Sequence, residues 1–414
     1  MIDAIALLVV AAAGFAYLNE RVTRLPMTIG VAAIALACSL VFMVCDGLQI
    51  ADLRDPVSRW LSALHFSQLL LQGMLSFLLF AGAFNVDGRR LRQYAWQIGF
   101  LAVVATAASA LLIGIATYWA LQLVSVQLSF SYCLVFGALI APTDAVAVLG
   151  ALRRASVPGN VETAIAGESL FNDGVGIVLF TILVQIASAH GMPSAWSIAA
   201  DFSREAFGGM LLGGALGGAT FLLMRGIDRY QVEVLLTLAV VVGGYAVAAN
   251  IGVSGPLAMV VAGVLLGNEG REQAMSATTR GNIDTFWELI DVALNAILFT
   301  LIGLEAVSVH AETRAWIAIP ATVLIVLVAR ILTVGGPVAL VSAAFRLPAR
   351  TAPLLVWAGL RGGISIALAL SLPPGHERDI VLMLTYGNVI FSTFAQGLTI
   401  GWLAKHTQKQ LQGR

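Results

Sequence analysis

Along the chain, long apolar runs alternate with short charged breaks. The runs fall near 3–18, 27–45, 66–84, 95–122, 129–151, 164–187, 204–224, 232–249, 253–267, 284–305, 315–345, 351–372 and 379–404. A membrane-crossing helix needs roughly 20 mostly apolar residues. The pattern therefore predicts an all-α polytopic membrane protein of about 13 transmembrane helices. Asp55-Pro56 reads as an N-cap followed by proline at the first helical position, so the third helix is expected to begin outside the membrane. The long run 315–345 holds Arg330 and Pro337, which predict a kink or tilt.

Composition agrees. Hydrophobic residues make up 59% of the 414, charged residues only 11%, and mean hydropathy is +0.90. Soluble domains carry about 25% charged residues, so a soluble enzyme, a disordered scaffold and a coiled coil are excluded. A formal net charge of zero leaves no basic footprint for nucleic acid. Cys38, Cys45 and Cys133 sit in apolar runs without a CxxC spacing, so neither a disulfide framework nor a zinc site is expected, and no cofactor.

Orientation follows from the basic residues. Only Asp3 precedes the first apolar run, which argues against a signal peptide, while Arg21 and Arg24 follow it. Counted loop by loop, 16 Lys and Arg fall on the side of Arg21, Arg89, Arg153, Arg225, Arg271, Arg346 and Lys405, against five on the other: Arg54, Arg59, Arg204, Arg314 and Arg378. This bias places the N-terminus outside and the C-terminus in the cytoplasm. The polar stretches 46–59 and 268–283 are too short to fold alone, so any function lies within or across the bilayer.

Ionisable groups inside apolar runs cost several kcal/mol and are functional candidates by default. Asp144, Glu168, Asp173 and Arg361 stand out, with Arg330 weaker; Glu288, Asp291 and Glu305 lie nearer the expected helix ends. Asp144 closes Ala141-Pro142-Thr143-Asp144, where proline frees backbone carbonyls, and Asp144 would cap the second half-helix. In Gly167-Glu168-Ser169-Leu170-Phe171-Asn172-Asp173, Ser169 and Asp173 are four apart and share a helix face. Glu168 is five before Asp173, turned about 140° away, so it faces a different neighbour. An ionised Glu168 there needs a cation, and Arg361 in Gly359-Leu360-Arg361-Gly362-Gly363 is the expected partner.

The two interrupted segments are the fifth and twelfth runs. Spans 1–6 (3–187) and 8–13 (232–404) then form two repeats around a linker helix, 204–224, and each break falls in the fifth helix of its repeat. Six helices and a linker invert the second repeat, a sequence pointer to a transporter site. Gly252-Val253-Ser254-Gly255 matches the GxSG of intramembrane serine proteases, but all five histidines (His65, His190, His310, His376 and His406) lie in or beside loops, away from it. Gly209, Gly213 and Gly217 read as a helix-packing face.

Ala141-Pro142-Thr143-Asp144 with Val-Ala-Val to 148, Gly-Glu-Ser-Leu-Phe-Asn-Asp (167–173), Asn295 with 298–304, and Gly-Leu-Arg-Gly-Gly-Ile-Ser-Ile-Ala-Leu-Ala (359–369) occur in order. Together they resemble the monovalent cation/proton antiporters of the NhaP and sodium/proton-exchanger group. The resemblance implies a homodimer working by alternating access, with a core bundle (95–187 and 315–404) moving against a dimerising scaffold (3–84 and 204–305). It implies Asp173 as the ligand shared by cation and proton, Asn172 beside it, oxygen ligands from Ser169 and Thr143, Asp144 at the helix crossing, and Glu168–Arg361 as a structural ion pair. The substrates would be Na+ (or Li+ or K+) and H+. The chain departs from the pattern at Ala145, where proline is common, and in its third helix, Leu79-Phe80-Ala81-Gly82-Ala83, where many members carry glutamate at the place of Ala81. Only one carboxylate in the Asn172-Asp173 pair titrates, which implies electroneutral exchange. A cation channel and an intramembrane hydrolase are the competing readings.

Overall fold

The computed structural model describes residues 2–49, 54–64, 66–188, 194–308 and 313–412; His65, His190 and His310 lie outside them. Among the described residues there is no strand, and ten helices are long and apolar enough to cross a membrane. In chain order these and the shorter helices used below are α1 Asp3–Thr23, α2 Met27–Gly47, α3 Phe66–Phe84, α4 Ala95–Leu123, α5 Phe130–Ile140, α6 Val146–Arg154, α7 Gly159–Ser188, α8 Trp196–Met224, α9 Tyr230–Ile251, α10 Gly255–Leu265, α11 Ala277–Glu305, α12 Trp316–Leu340, α13 Ala352–Trp357, α14 Gly363–Ser371 and α15 His376–Leu411. Each of the 13 apolar runs contains helix. Runs five and twelve are each split in two, as α5/α6 and α13/α14.

Differences from the sequence reading have physical causes. The helix ahead of α3 spans Arg54–Leu64, so Asp55 lies inside its first turn rather than capping it. The polar stretch 268–283 is largely helical: a widened turn at Leu266–Gly270 continues α10, and α11 begins at Ala277, capped by Ser276, whose side chain accepts from the Thr279 amide. The run 315–345 opens into a widened turn at Ile331–Gly335, directly after Arg330, and its helix ends at Leu340. Such turns relieve the regular hydrogen-bond ladder where a side chain needs room. The Gly252–Gly255 motif is a corner. Gly252 ends α9 in the left-handed conformation (φ 69°), and Ser254 caps α10 by accepting from the Leu257 amide at 3.3 Å.

Small residues set the closest helix approaches, because in lipid association rests on packing rather than on expelling water. Gly209, Gly213 and Gly217 of α8 lie on Ser254, Ala258 and Ala262 at the start of α10 and along it. A Cβ on Gly213 would stand 2.2 Å from the Ala258 carbonyl oxygen, whereas one on Gly214 would meet nothing within 4 Å. Forced overpacking of this kind costs about 1–3 kcal/mol. Gly213→Ala should therefore lower the thermal unfolding midpoint in detergent. Gly214→Ala should leave it at or slightly above wild type, since alanine is also the better helix former. Equal midpoints for the two variants would refute this packing role.

Candidate functional site

The non-helical links 141–145 and 358–362 meet, and the Asp144 amide donates to the Leu360 carbonyl at 2.8 Å. Helix ends left at such depth expose backbone donors and acceptors that lipid cannot satisfy. Side chains of α7, α12, α15 and the links themselves satisfy three of the four ends, whereas the start of α14 at Gly363 has no side-chain cap. Thr143 N donates to Asn172 Oδ1 (3.3 Å), and Asn172 Nδ2 donates to Thr143 Oγ1 (2.9 Å). Ser169 Oγ accepts from Ala145 N (3.0 Å) and donates to the Thr143 carbonyl (2.5 Å). Asp144 Oδ1 accepts from Val146 N (2.8 Å), capping α6. Across the crossing, Ser392 Oγ accepts from Arg361 N (2.7 Å).

Each arginine sits at the C-terminal end of a half-helix, where the backbone dipole is negative. Arg361 Nη1 donates to the carbonyls of Ala141 and Pro142 (2.8 Å for the latter), just beyond α5. Arg330 donates through Nε to Val356 O (3.3 Å) and through Nη2 to Leu355 O (3.1 Å), at the end of α13. Two glycines make the room. A Cβ on Gly359 would lie 2.0 Å from Arg330 Nε, and one on Gly362 would lie 2.5 Å from Asp144 Oδ2.

The expected Glu168–Arg361 pair is not formed. Glu168 Oε1 instead accepts from Arg330 Nη1 at 2.7 Å, with both side chains buried. Among the described residues, five exposed or half-exposed pairs lie at the arginine-rich face, among them Arg153–Glu162 at 2.7 Å and Arg89–Glu272 at 2.5 Å, whereas both side chains of the Glu168–Arg330 pair are buried. Arg361 Nη1 is taken up by the Ala141 and Pro142 carbonyls, so of the two arginines in apolar runs it is Arg330 that reaches Glu168.

Beside the crossing lies a cavity of about 100 Å3. One wall carries Thr143, Asp144, Ser169 and Asp173; the facing wall carries Leu75, Leu79 and Gly82 of α3 and Asp291 and Asn295 of α11. Ser169 and Asp173 thus share the cavity while Glu168 turns to Arg330. Asn172 is fully buried and fastens Thr143. Asp173 makes no hydrogen bond or ion pair among the described residues. The sequence reading passed over two residues here: Arg330, ranked below Arg361, and Asp291, placed near a helix end.

The family described as "Sodium/hydrogen exchanger, transmembrane" matches residues 5–406. The chain belongs to the sodium/hydrogen exchanger family. Within that family it is 47% identical over 413 residues to the Na(+)/H(+) antiporter NhaP of Pseudomonas aeruginosa, covering 98% of this chain and 96% of the relative. It is 37% identical over 313 residues to the Na(+)/H(+) antiporter NhaH of Halobacillus dabanensis, covering 74% of each. The fold is similar to that of the sodium proton antiporter MjNhaP1 from Methanocaldococcus jannaschii at pH 8, with a TM-score of 0.74 and 18% identity over 100% of this chain and 99% of that one.

In this exchanger-family chain the buried pair yields a direct test. Removing one partner leaves an uncompensated buried charge, at about 3–5 kcal/mol. Glu168→Gln and Arg330→Gln should each lower thermal stability in detergent, and the double variant should recover part of the loss. Combining Glu168→Gln with Arg361→Gln should give no such recovery. Additive losses for Glu168 with Arg330 would refute their partnership.

Proposed function

We propose that the chain is a secondary antiporter exchanging a monovalent cation, sodium foremost and also lithium or potassium, for a proton, with both competing for Asp173. One observation carries the reading. Every other charge at the helix crossing has a backbone or ionic partner, whereas Asp173 faces the cavity with none. A carboxylate left so at membrane depth needs either a bound cation or a proton, and holds one at a time. The names of the relatives agree, and they favour a carrier over a channel or a hydrolase. Ionised, Asp173 takes the cation, with Ser169, Thr143 and Asp144 supplying neighbouring oxygens. Protonated, it rejects it. Asn172 acts by holding Thr143 in place.

On this reading thirteen spans form two inverted repeats, 3–187 and 232–404, about the linker 204–224. The bundle 95–187 with 315–404 carries Asp173 from one face to the other against the scaffold 3–84 and 204–305, through which two copies dimerise. The chain lies in a bacterial inner membrane, N-terminus outside and C-terminus in the cytoplasm, and serves pH and cation homeostasis. If Asp173 cannot reorient empty and charged, each cycle swaps one cation for one proton.

Asp173→Asn keeps the shape of the side chain but cannot exchange a proton for a cation. Reconstituted in liposomes with an internal pH dye, it should show no cation-driven proton movement while eluting and melting like a folded wild type. Wild-type exchange by this variant would overturn the mechanism. Stoichiometry is tested separately. Clamping the membrane potential with potassium and valinomycin should leave the initial sodium-driven rate unchanged, and a rate that scales with the potential would contradict one-for-one exchange.

A further inference from the structure

We infer that Asp291 of α11 is a second cation ligand, fixed on the wall opposite Asp173, which receives the ion only from the arginine-rich face. The inference rests on the antiporter reading above and adds a residue and a direction to it.

Three observations converge on Asp291. It lines the same cavity as Asp144 and Asp173. The three carboxylates have no ion-pair partner among the described residues, so their mutual repulsion is relieved by a positive ion entering between the walls. Second, Asp291 is held in place: Asn295 Nδ2 donates to its Oδ1 at 3.0 Å and to its backbone carbonyl at 2.9 Å, and Asn295 is itself buried and lines the cavity. The remainder of that wall, Leu75, Leu78, Leu79 and Gly82 of α3, offers an ion nothing.

Third, the residues leading to Asp291 make a path. Asp284, Glu288, Asp291 and Asn295 follow at intervals of four, three and four, which keeps them within an arc of about 60° on one side of α11. Asp284 lies beside Arg271, with which it pairs at the arginine-rich face, and Glu288 is exposed. The cavity extends the same way, to Val86 and Leu149, within a turn or so of Arg89 and Arg153. A cation arriving from that face meets Glu288, then Asp291, then Asp173. When the wall bearing Asp173 moves to serve the other face, Asp291 stays behind. Its contribution to apparent affinity is therefore one-sided.

The test measures sodium-dependent proton exchange in vesicles of both orientations, so that each face is presented to sodium in turn. Asp291→Asn preserves the Asn295 hydrogen bond, and Asp291→Glu keeps the charge. Asp291→Asn should raise the apparent KM for sodium about tenfold at the arginine-rich face, leave it within about twofold at the other face, and keep the maximal rate, as expected for one lost ionic contact. Asp291→Glu should restore most of the affinity. An unchanged KM at both faces, an equal rise at both, or complete loss of exchange in both folded variants would overturn the assignment. A wild type that exchanges no cation for protons would instead overturn the antiporter reading on which it rests.

Discussion

The structure depends on one constraint: backbone polar groups exposed by a broken helix inside a bilayer have nothing to bond to except the protein itself. Two helices break here and cross at the same depth, which exposes two C-terminal ends and two N-terminal ends together. Nearly every polar side chain near them is committed to repairing this. Ser169 and Asn172 take up the link at Thr143 and Ala145, Asp144 caps α6, and Arg361 and Arg330 cover the carbonyls beyond α5 and at the end of α13. The repair fixes the geometry of the site, because a group with two partners cannot swing away from either.

The same constraint explains how the charges are arranged. Arg361 needs no carboxylate because it lies against the negative ends of a half-helix. Arg330 has two carbonyls and still retains Nη1 for Glu168, which gives α7 and α12 a buried electrostatic contact. Once these demands are met, Asp173 is left over in a small cavity between two walls. Its neighbours Ser169, Asn172, Glu168 and Arg330 are bonded elsewhere, and the lack of a partner makes the residue available to an ion that comes and goes.

Much of this was legible in the sequence. Apolar runs located the helices, Pro142 with Asp144 and the glycines around Arg361 marked both breaks, and the helical angle separated Glu168 from Ser169 and Asp173. Two points were not legible. The choice between Arg330 and Arg361 as the partner of Glu168 depends on Gly359 leaving a gap through which Arg330 passes, a three-dimensional fact with no sequence period. Asp291 looked like a helix-end residue because its apolar run was placed to start at 284. The helix begins at Ala277, fourteen residues earlier than Asp291, so the carboxylate lies about 21 Å along it, well inside the bundle. Polar helical turns that project beyond the bilayer are invisible to a reading by hydrophobicity.

The central claim is that sodium and a proton compete for one carboxylate, and proton release on binding tests it without any transport. Purified protein in detergent is titrated with sodium by calorimetry in buffers of different ionisation enthalpy, at a pH where Asp173 is largely protonated. The account predicts close to one proton released per sodium bound, and neither binding nor release in Asp173→Asn. Sodium binding that releases no proton would contradict it.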